Sequence, residues 1–211
     1  MKVAAIIPAY NEEQTIGSVV QVVRRVPEVN EVIVVSDGST DATARNAAQA
    51  GARVIELAEN VGKGGALTAG IAATDAEVLL FLDADLVGLR EDHVYSLINP
   101  VLQGEAQAVI GILDRGRLAT DLAQKFAPRL SGQRCLRREL LDGLHHLEMT
   151  RFGAEVALNR HLRAQGVEEK MVVLEDLTHV MKEEKRGLVR GIASRMKMYW
   201  EIARVWIRGN P

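Results

Sequence analysis

The chain has 211 residues, of which 47% are hydrophobic and 26% charged, and 26 basic side chains nearly balance 28 acidic ones for a net charge of −2. That length predicts one domain, with apolar content ample for a core burying roughly 70% of the surface the unfolded chain exposes. The charge balance excludes disorder and non-specific nucleic-acid binding as a main task, and a single cysteine, Cys135, excludes an internal disulfide or a Cys-rich zinc site.

In chain order, short β-branched runs alternate with helical stretches. Lys2–Pro8 (KVAAIIP) is apolar enough for a strand buried on both faces. Asn11 can cap a helix in which Ile16, Val19, Val20 and Val23 recur at helical spacing, and Pro27 ends it. Glu31–Ser36 (EVIVVS) predicts a second buried strand, and Ala42–Ala50 a helix capped by Asp41 and closed by Gly51. Val54-Ile55 is a short third strand. Gly62, Gly64 and Gly65 then lead into a helix over Ala66–Ala73, and Val78–Leu82 forms a fourth strand. A helix over Asp92–Gln103 and a strand over Ala108–Leu113 follow. The second half is less regular: a polar turn at Ser131–Arg134 before a helix, a helix over Phe152–Ala164, a strand at Met171–Leu174 and a long helix from Gly187.

This alternation predicts an α/β fold, a mostly parallel sheet with helices on both faces in a single domain. No apolar run approaches the roughly 18 residues of a membrane span. Met1-Lys2-Val3 runs directly into a strand, unlike a signal peptide, and the expectation is a soluble, cytoplasmic protein in a reducing compartment. In such sheets ligands bind beyond the carboxyl ends of the strands. Here those ends read Pro8-Ala9-Tyr10-Asn11-Glu12, Ser36-Asp37-Gly38-Ser39 and Asp83-Ala84-Asp85.

Two carboxylates one residue apart, as in Asp83 and Asp85, cannot both hide beneath a sheet without a large desolvation cost. Turned outward, they are hard oxygen ligands suited to Mg²⁺ or Mn²⁺ held together with phosphate oxygens, or they are a solvated loop with a capping Asp. Asp37-Gly38-Ser39-Thr40-Asp41 reads as a glycine turn and helix cap, or as a carboxylate placed to accept a hydrogen bond from the N–H of a base. Asn60-Val61-Gly62-Lys63-Gly64-Gly65 is either a plain loop or a phosphate cradle at a helix N-terminus. It lacks the earlier glycine and the Ser or Thr of a P-loop, and it does not follow the first strand as a dinucleotide fingerprint would.

The four segments in this order resemble the family 2 glycosyltransferases of the GT-A fold, and the resemblance covers roughly the first 115 residues. It implies that Pro8, Ala9, Asn11, Glu12 and Asp37 line the nucleoside pocket of a UDP- or GDP-sugar, and that Lys63 and Gly64 reach the nucleotide. Asp83, Ala84 and Asp85 then serve the donor, the diphosphate and the metal, with Asp85 the more direct ligand of Mn²⁺ or Mg²⁺. Chemistry agrees, because a nucleoside diphosphate leaves poorly unless its developing charge is neutralised. On this resemblance, residues 1–115 form the nucleotide-sugar-binding half, 116–184 the acceptor-binding half and 185–211 a C-terminal helix.

In the second half, Ser131-Gly132-Gln133-Arg134 is a surface turn or an acceptor clamp through Gly132 and Arg134. Arg151-Phe152-Gly153-Ala154-Glu155 is similar to the Gly-aromatic-Gly-x-Glu segment of glucosyl-3-phosphoglycerate synthases, which implies Arg151 near the acceptor and Glu155 facing the sugars. Glu155 equally suits the dipole of its helix. His179 matches the place of a metal-binding His in the same synthases, whereas the adjacent His145 and His146 look like surface or packing residues. Many inverting relatives carry an acidic pair as general base where this chain reads Leu147-Glu148-Met149-Thr150-Arg151. Either an anionic acceptor needs no base, or the departing diphosphate oxygen takes the proton in a retaining reaction. Asp83, Asp85 and Glu155 are therefore the catalytic candidates.

From Lys185 to Arg208 seven basic residues face one acid, Glu201, around an apolar stripe of Leu188, Ile192, Met196, Tyr199, Ile202 and Trp206. Such a helix either docks on the core or on a second copy in a homodimer, or lies peripherally on an anionic membrane. The expected function is a hexosyltransferase using a small phosphorylated or carboxylated acceptor, with polyprenyl phosphate as the alternative. Outside that class, a nucleotidyltransferase would want a Gly-rich loop with Arg after the first strand, and a non-catalytic sensor would bind the donor without turnover.

Overall fold

The computed structural model describes residues 1–113, 131–144 and 153–179. Arg151, His145, His146 and the basic helix expected over 185–211 lie outside the described residues, as does Phe152, where a helix was expected to start. Seven strands form one sheet: β1 (Val3–Ala9), β2 (Val29–Asp37), β3 (Arg53–Leu57), β4 (Val78–Phe81), β6 (Ala108–Leu113), β7 (Arg134–Arg137) and β8 (Glu169–Leu174). Their spatial order is β3-β2-β1-β4-β7-β6-β8. All neighbours run parallel except β7, which is antiparallel to both β4 and β6. A separate antiparallel ribbon pairs β5 (Leu86–Val87) with β9 (Thr178–His179).

The helices are α1 (Ile16–Arg24), α2 (Thr43–Gln49), α3 (Lys63–Ala72), α4 (Glu91–Leu102) and α5 (Ala154–Ala164). Side chains alternate across a strand, so β1 serves two cores. Val3, Ala5 and Ile7 pack with Ile16, Val19, Val20 and Val23 of α1 and Val94, Leu97 and Ile98 of α4. Ala4 and Ile6 face the other way, toward Leu67 of α3 and Leu158 and Leu162 of α5. Burial on both faces is why β1, β2 and β4 read as continuous apolar runs. Among the described residues no helix is long and apolar enough to cross a membrane.

Four local expectations change. Asn11 does not cap α1: it stands at φ 54° in the preceding loop, and the helix begins only at Ile16. The glycine segment is shorter than expected, because α3 already starts at Lys63 with Gly62 as its N-cap. Ser131–Arg134 leads into strand β7 and a 3₁₀ turn over Arg138–Leu141, not into an α-helix. Cys135 and Leu136 fill the gap between β4 and β6, and the flanking arginines mask that apolar pair in the sequence. Asp41 is not the cap of α2 but stands one residue before it: Ala42 is the N-cap, and the Asp41 Oδ1 accepts the Thr43 backbone N–H at 3.0 Å.

Candidate active site

β4 is wholly buried, and past its end Asp83 and Asp85 leave the sheet at the edge where β1 and β2 also finish. Ala84 between them turns into the core. Pairing of β5 with β9 sets Leu86 opposite His179, so the imidazole arrives beside Asp85 from 94 residues further along the chain. His179 Nε2 lies 3.2 Å from Asp83 Oδ2 and 3.9 Å from Asp85 Oδ1. One ligand atom from each of Asp83, Asp85 and His179 falls within 4.8 Å of the others.

Two further charges complete the cluster. Lys63 opens α3, and its Nζ donates to Asp83 Oδ1 at 2.5 Å and to Glu155 Oε1, in the first turn of α5, at 2.6 Å. Burial on its own would raise the Asp83 carboxyl, but the Lys63 ammonium and the His179 hydrogen bond hold it well below the usual carboxylate range. Burial likewise opposes charge on Lys63, and Asp83 with Glu155 overcomes it, pushing the ammonium above its ordinary range. The His179 imidazole is also pushed up: burial lowers it, but the Asp83 and Asp85 carboxylates outweigh that effect.

Three carboxylates against one ammonium leave the cluster with an excess of negative charge. Asp83 is occupied on both oxygens, by Lys63, Gln133 and His179, whereas among the described residues Asp85 makes only its long ionic contact with His179. Carboxylate and imidazole donors suit a divalent first-row ion, Mn²⁺ better than Mg²⁺ because of the nitrogen. Asp85 and His179 therefore fit a metal, with Asp83 at its side.

The loops after β1 and β2 clasp one another beside this cluster. The Asn11 backbone N–H donates to Ser39 Oγ at 3.1 Å, and Asn11 Oδ1 accepts the Thr40 N–H at 2.9 Å. The Glu12 N–H donates to Thr43 Oγ1 at 2.7 Å. Pro8 and Ala9 end β1 beneath this rim, Ala9 fully packed and Pro8 half-buried. Asp37 is buried, and its two oxygens accept the N–H groups of Val61 and Gly62 at 2.8 and 2.9 Å. It thereby fixes the loop that launches Lys63 and Gly64. Gly38 makes this possible: it has φ 66°, and a Cβ there would stand 2.6 Å from the Asn60 nitrogen.

Of the residues expected on the acceptor side, Gly132 passes over the ion pair so closely that a Cβ would lie 2.5 Å from both Asp83 Oδ1 and Lys63 Nζ. Arg134 is buried behind it, donating to Glu169 Oε1 and to the Ser131 carbonyl, both at 3.0 Å. Both residues border a recess shared with Lys63, Phe81, Glu155 and Leu158. Sequence reasoning gave Gln133 no role, yet its Nε2 donates to Asp83 Oδ2 at 2.8 Å. The signal lay in strand pairing: Phe81 opposes Arg134, which brings the next residues on each strand, Leu82 and Gln133, to the same level.

Comparison with known proteins accords with this geometry. The model of Glycosyl transferase family 2 matches residues 4–160. Over 109 residues, 47% of this chain, the sequence is 38% identical to the glucosyl-3-phosphoglycerate synthase of Mycolicibacterium smegmatis. Over 106 residues it is 41% identical to the 4,4'-diaponeurosporenoate glycosyltransferase of Staphylococcus aureus. These matches span about a third of the length of the curated relatives, 36% and 28% respectively. A crystal structure of Mycobacterium tuberculosis glucosyl-3-phosphoglycerate synthase superimposes with TM-score 0.76 and 30% identity, over 95% of this chain and 79% of the other. The same enzyme in complex with Mn²⁺, uridine-diphosphate-glucose and phosphoglyceric acid gives TM-score 0.72 and 29% identity, over 92% and 79%. The sheet is thus of the GT-A type, and with the family model matched across most of its length the chain belongs to glycosyl transferase family 2.

Proposed function

We propose that this chain is a metal-dependent glycosyltransferase that moves a hexose from a uridine-diphosphate sugar to a small anionic acceptor. The observation that carries the reading is the Asp83–Asp85–His179 cluster at the strand ends, with Lys63 set against it. Asp85 and His179 would hold Mn²⁺ or Mg²⁺, which supplies charge neutralisation for the departing diphosphate. Asp83 aligns Lys63 at the same edge, and the clasped loops of Asn11, Glu12 and Asp37 form the wall on which the nucleoside rests, Asp37 by bracing the Val61–Gly62 backbone. Lys63 and the first N–H groups of α3 present positive charge toward the diphosphate.

Glu155 Oε1 accepts from the Lys63 ammonium at 2.6 Å, so that oxygen is already engaged within the protein. That supports a role in holding Lys63 and the acceptor side in place. Gly132 and Arg151 are the proposed acceptor contacts, with Arg134, tied to Glu169, holding the Ser131 carbonyl next to Gly132. The M. tuberculosis structure with phosphoglyceric acid supports an anionic acceptor.

Calorimetric titration of UDP-glucose and GDP-mannose, each with and without Mn²⁺, tests the donor half. Binding of UDP-glucose that requires Mn²⁺ is expected, followed by UDP release when 3-phosphoglycerate is added. Metal-independent binding, or preference for GDP-mannose, would refute the donor assignment, and binding without turnover on any anionic acceptor would leave a sensor rather than an enzyme.

A further inference from the structure

We infer that Gln133 is a positioning residue for the cation site, holding Asp83 in the orientation that the Asp83–Asp85–His179 cluster requires. The inference rests on the reading of that cluster as a metal centre. Gln133 is completely buried, and a buried carboxamide must satisfy its donors and acceptor within the protein. Its Oε1 accepts from Ser131 Oγ at 2.7 Å, while the same hydroxyl accepts the Gln133 backbone N–H at 3.2 Å. This closed ring leaves Nε2 aimed at Asp83 Oδ2, 2.8 Å away, with His179 Nε2 at 3.4 Å beside the same oxygen.

The carboxamide has only this orientation. Flipped, it would set Oε1 against the Asp83 carboxylate, two acceptors with no proton between them. The backbone is held as firmly, since the Gln133 carbonyl accepts the Gly111 N–H of β6 at 2.9 Å. The residue leading into β7 thus delivers one neutral donor to the carboxylate oxygen facing His179, while Lys63 holds the other oxygen. A cation at Asp85 and His179 finds Asp83 already turned and need not pay to order it. Hydrogen-bond partners that fix the groups around a metal site in this way typically contribute 10–100-fold in metal affinity.

Two variants test this. Gln133→Met keeps the length and bulk but removes the donor; Ser131→Ala leaves Gln133 in place and removes the brace on its Oε1. Mn²⁺ binding is followed by the loss of the free-ion electron paramagnetic resonance signal, without donor or acceptor, alongside thermal unfolding of each metal-free protein. Gln133→Met is expected to weaken Mn²⁺ binding 10–100-fold, and Ser131→Ala less but in the same direction. A purely structural residue would lower the unfolding temperature and leave the affinity of the folded protein unchanged, and that outcome overturns the inference. Should Gln133→Met fail to fold, Ser131→Ala decides alone, unchanged affinity again overturning it. If the unsubstituted chain binds no Mn²⁺, the metal reading itself falls and the inference with it, whereas wild-type binding with indifferent variants removes Gln133 alone.

Discussion

Asp83 and Asp85 are two residues apart and chemically identical, yet their surroundings give them different tasks. Asp83 has Lys63, Gln133 and His179 on its oxygens, and removing its charge would leave a half-buried ammonium facing only Glu155. Asp85 has His179 at 3.9 Å, so its carboxylate stays available to an incoming cation. Asp85→Ala should therefore abolish Mn²⁺-dependent donor binding with little change in stability, whereas Asp83→Ala should also destabilise the fold by roughly 1–3 kcal/mol, because Lys63, Gln133 and His179 each lose a hydrogen-bond partner while Glu155 stays on Lys63. Calorimetry and denaturant unfolding of both variants check this; equal losses of stability would show that the two carboxylates share one role. The pairing of Asp83 with Asp85 was legible in the sequence because both are strand-end carboxylates. His179 was reachable only through family resemblance, and Gln133 not at all, since a glutamine in a polar tetrapeptide carries no sign of what faces it across a strand.

At the scale of elements, the first half of the sheet was readable because doubly buried parallel strands announce themselves as apolar runs. β7 and the β5–β9 ribbon were not: one is a four-residue strand bounded by arginines, the other two residues on each side, and both exist through tertiary pairing. A further cross-element tie lies at the opposite end of the sheet from the site. Glu31 of β2 accepts from Thr74 Oγ1 at 2.8 Å and from Arg53 of β3 at 3.0 Å, with Lys2 at 3.8 Å, linking the lead-in to β1 with β2, β3 and the chain before β4. Partial burial would raise the Glu31 carboxyl, but the Thr74 hydroxyl and the Arg53 and Lys2 charges win and hold it below its ordinary value. A carboxyl depressed in the folded state contributes stability that is present above the unfolded-state value, about 4.3, and lost as pH falls through the folded one. Glu31→Gln should thus cost about 1 kcal/mol at pH 7. The difference from the unsubstituted protein should shrink only below about pH 4. Urea unfolding of both proteins across that range reads it directly, and a gap that persists unchanged at pH 2 would mean the loss comes from packing, not charge.

At the scale of the whole molecule, the site is assembled from both halves of the chain. Lys63, Asp83 and Asp85 come from the first, while Gln133, Glu155 and His179 come from the second. The antiparallel β7 joins the halves, pairing with β4 along Val78–Phe81 and with β6 along Ala108–Ile110. A ligand bound there touches segments that scatter when the chain unfolds, so its binding energy adds to the stability of the entire sheet. At a hundredfold excess over Kd the gain is about 2.7 kcal/mol, which for a domain of this size raises Tm by about 5–11 °C. UDP with Mn²⁺ should produce that shift as a single transition, and UDP or Mn²⁺ separately a smaller one, because each binds more weakly without the other in the proposed site. Asp85→Ala should erase the difference between UDP with Mn²⁺ and UDP without it. Differential scanning fluorimetry over a titration of each ligand separates the possibilities. A shift from UDP that ignores Mn²⁺ would place the nucleotide away from the cluster, and two transitions, only one of them moving, would mean that the halves fold independently despite the shared sheet.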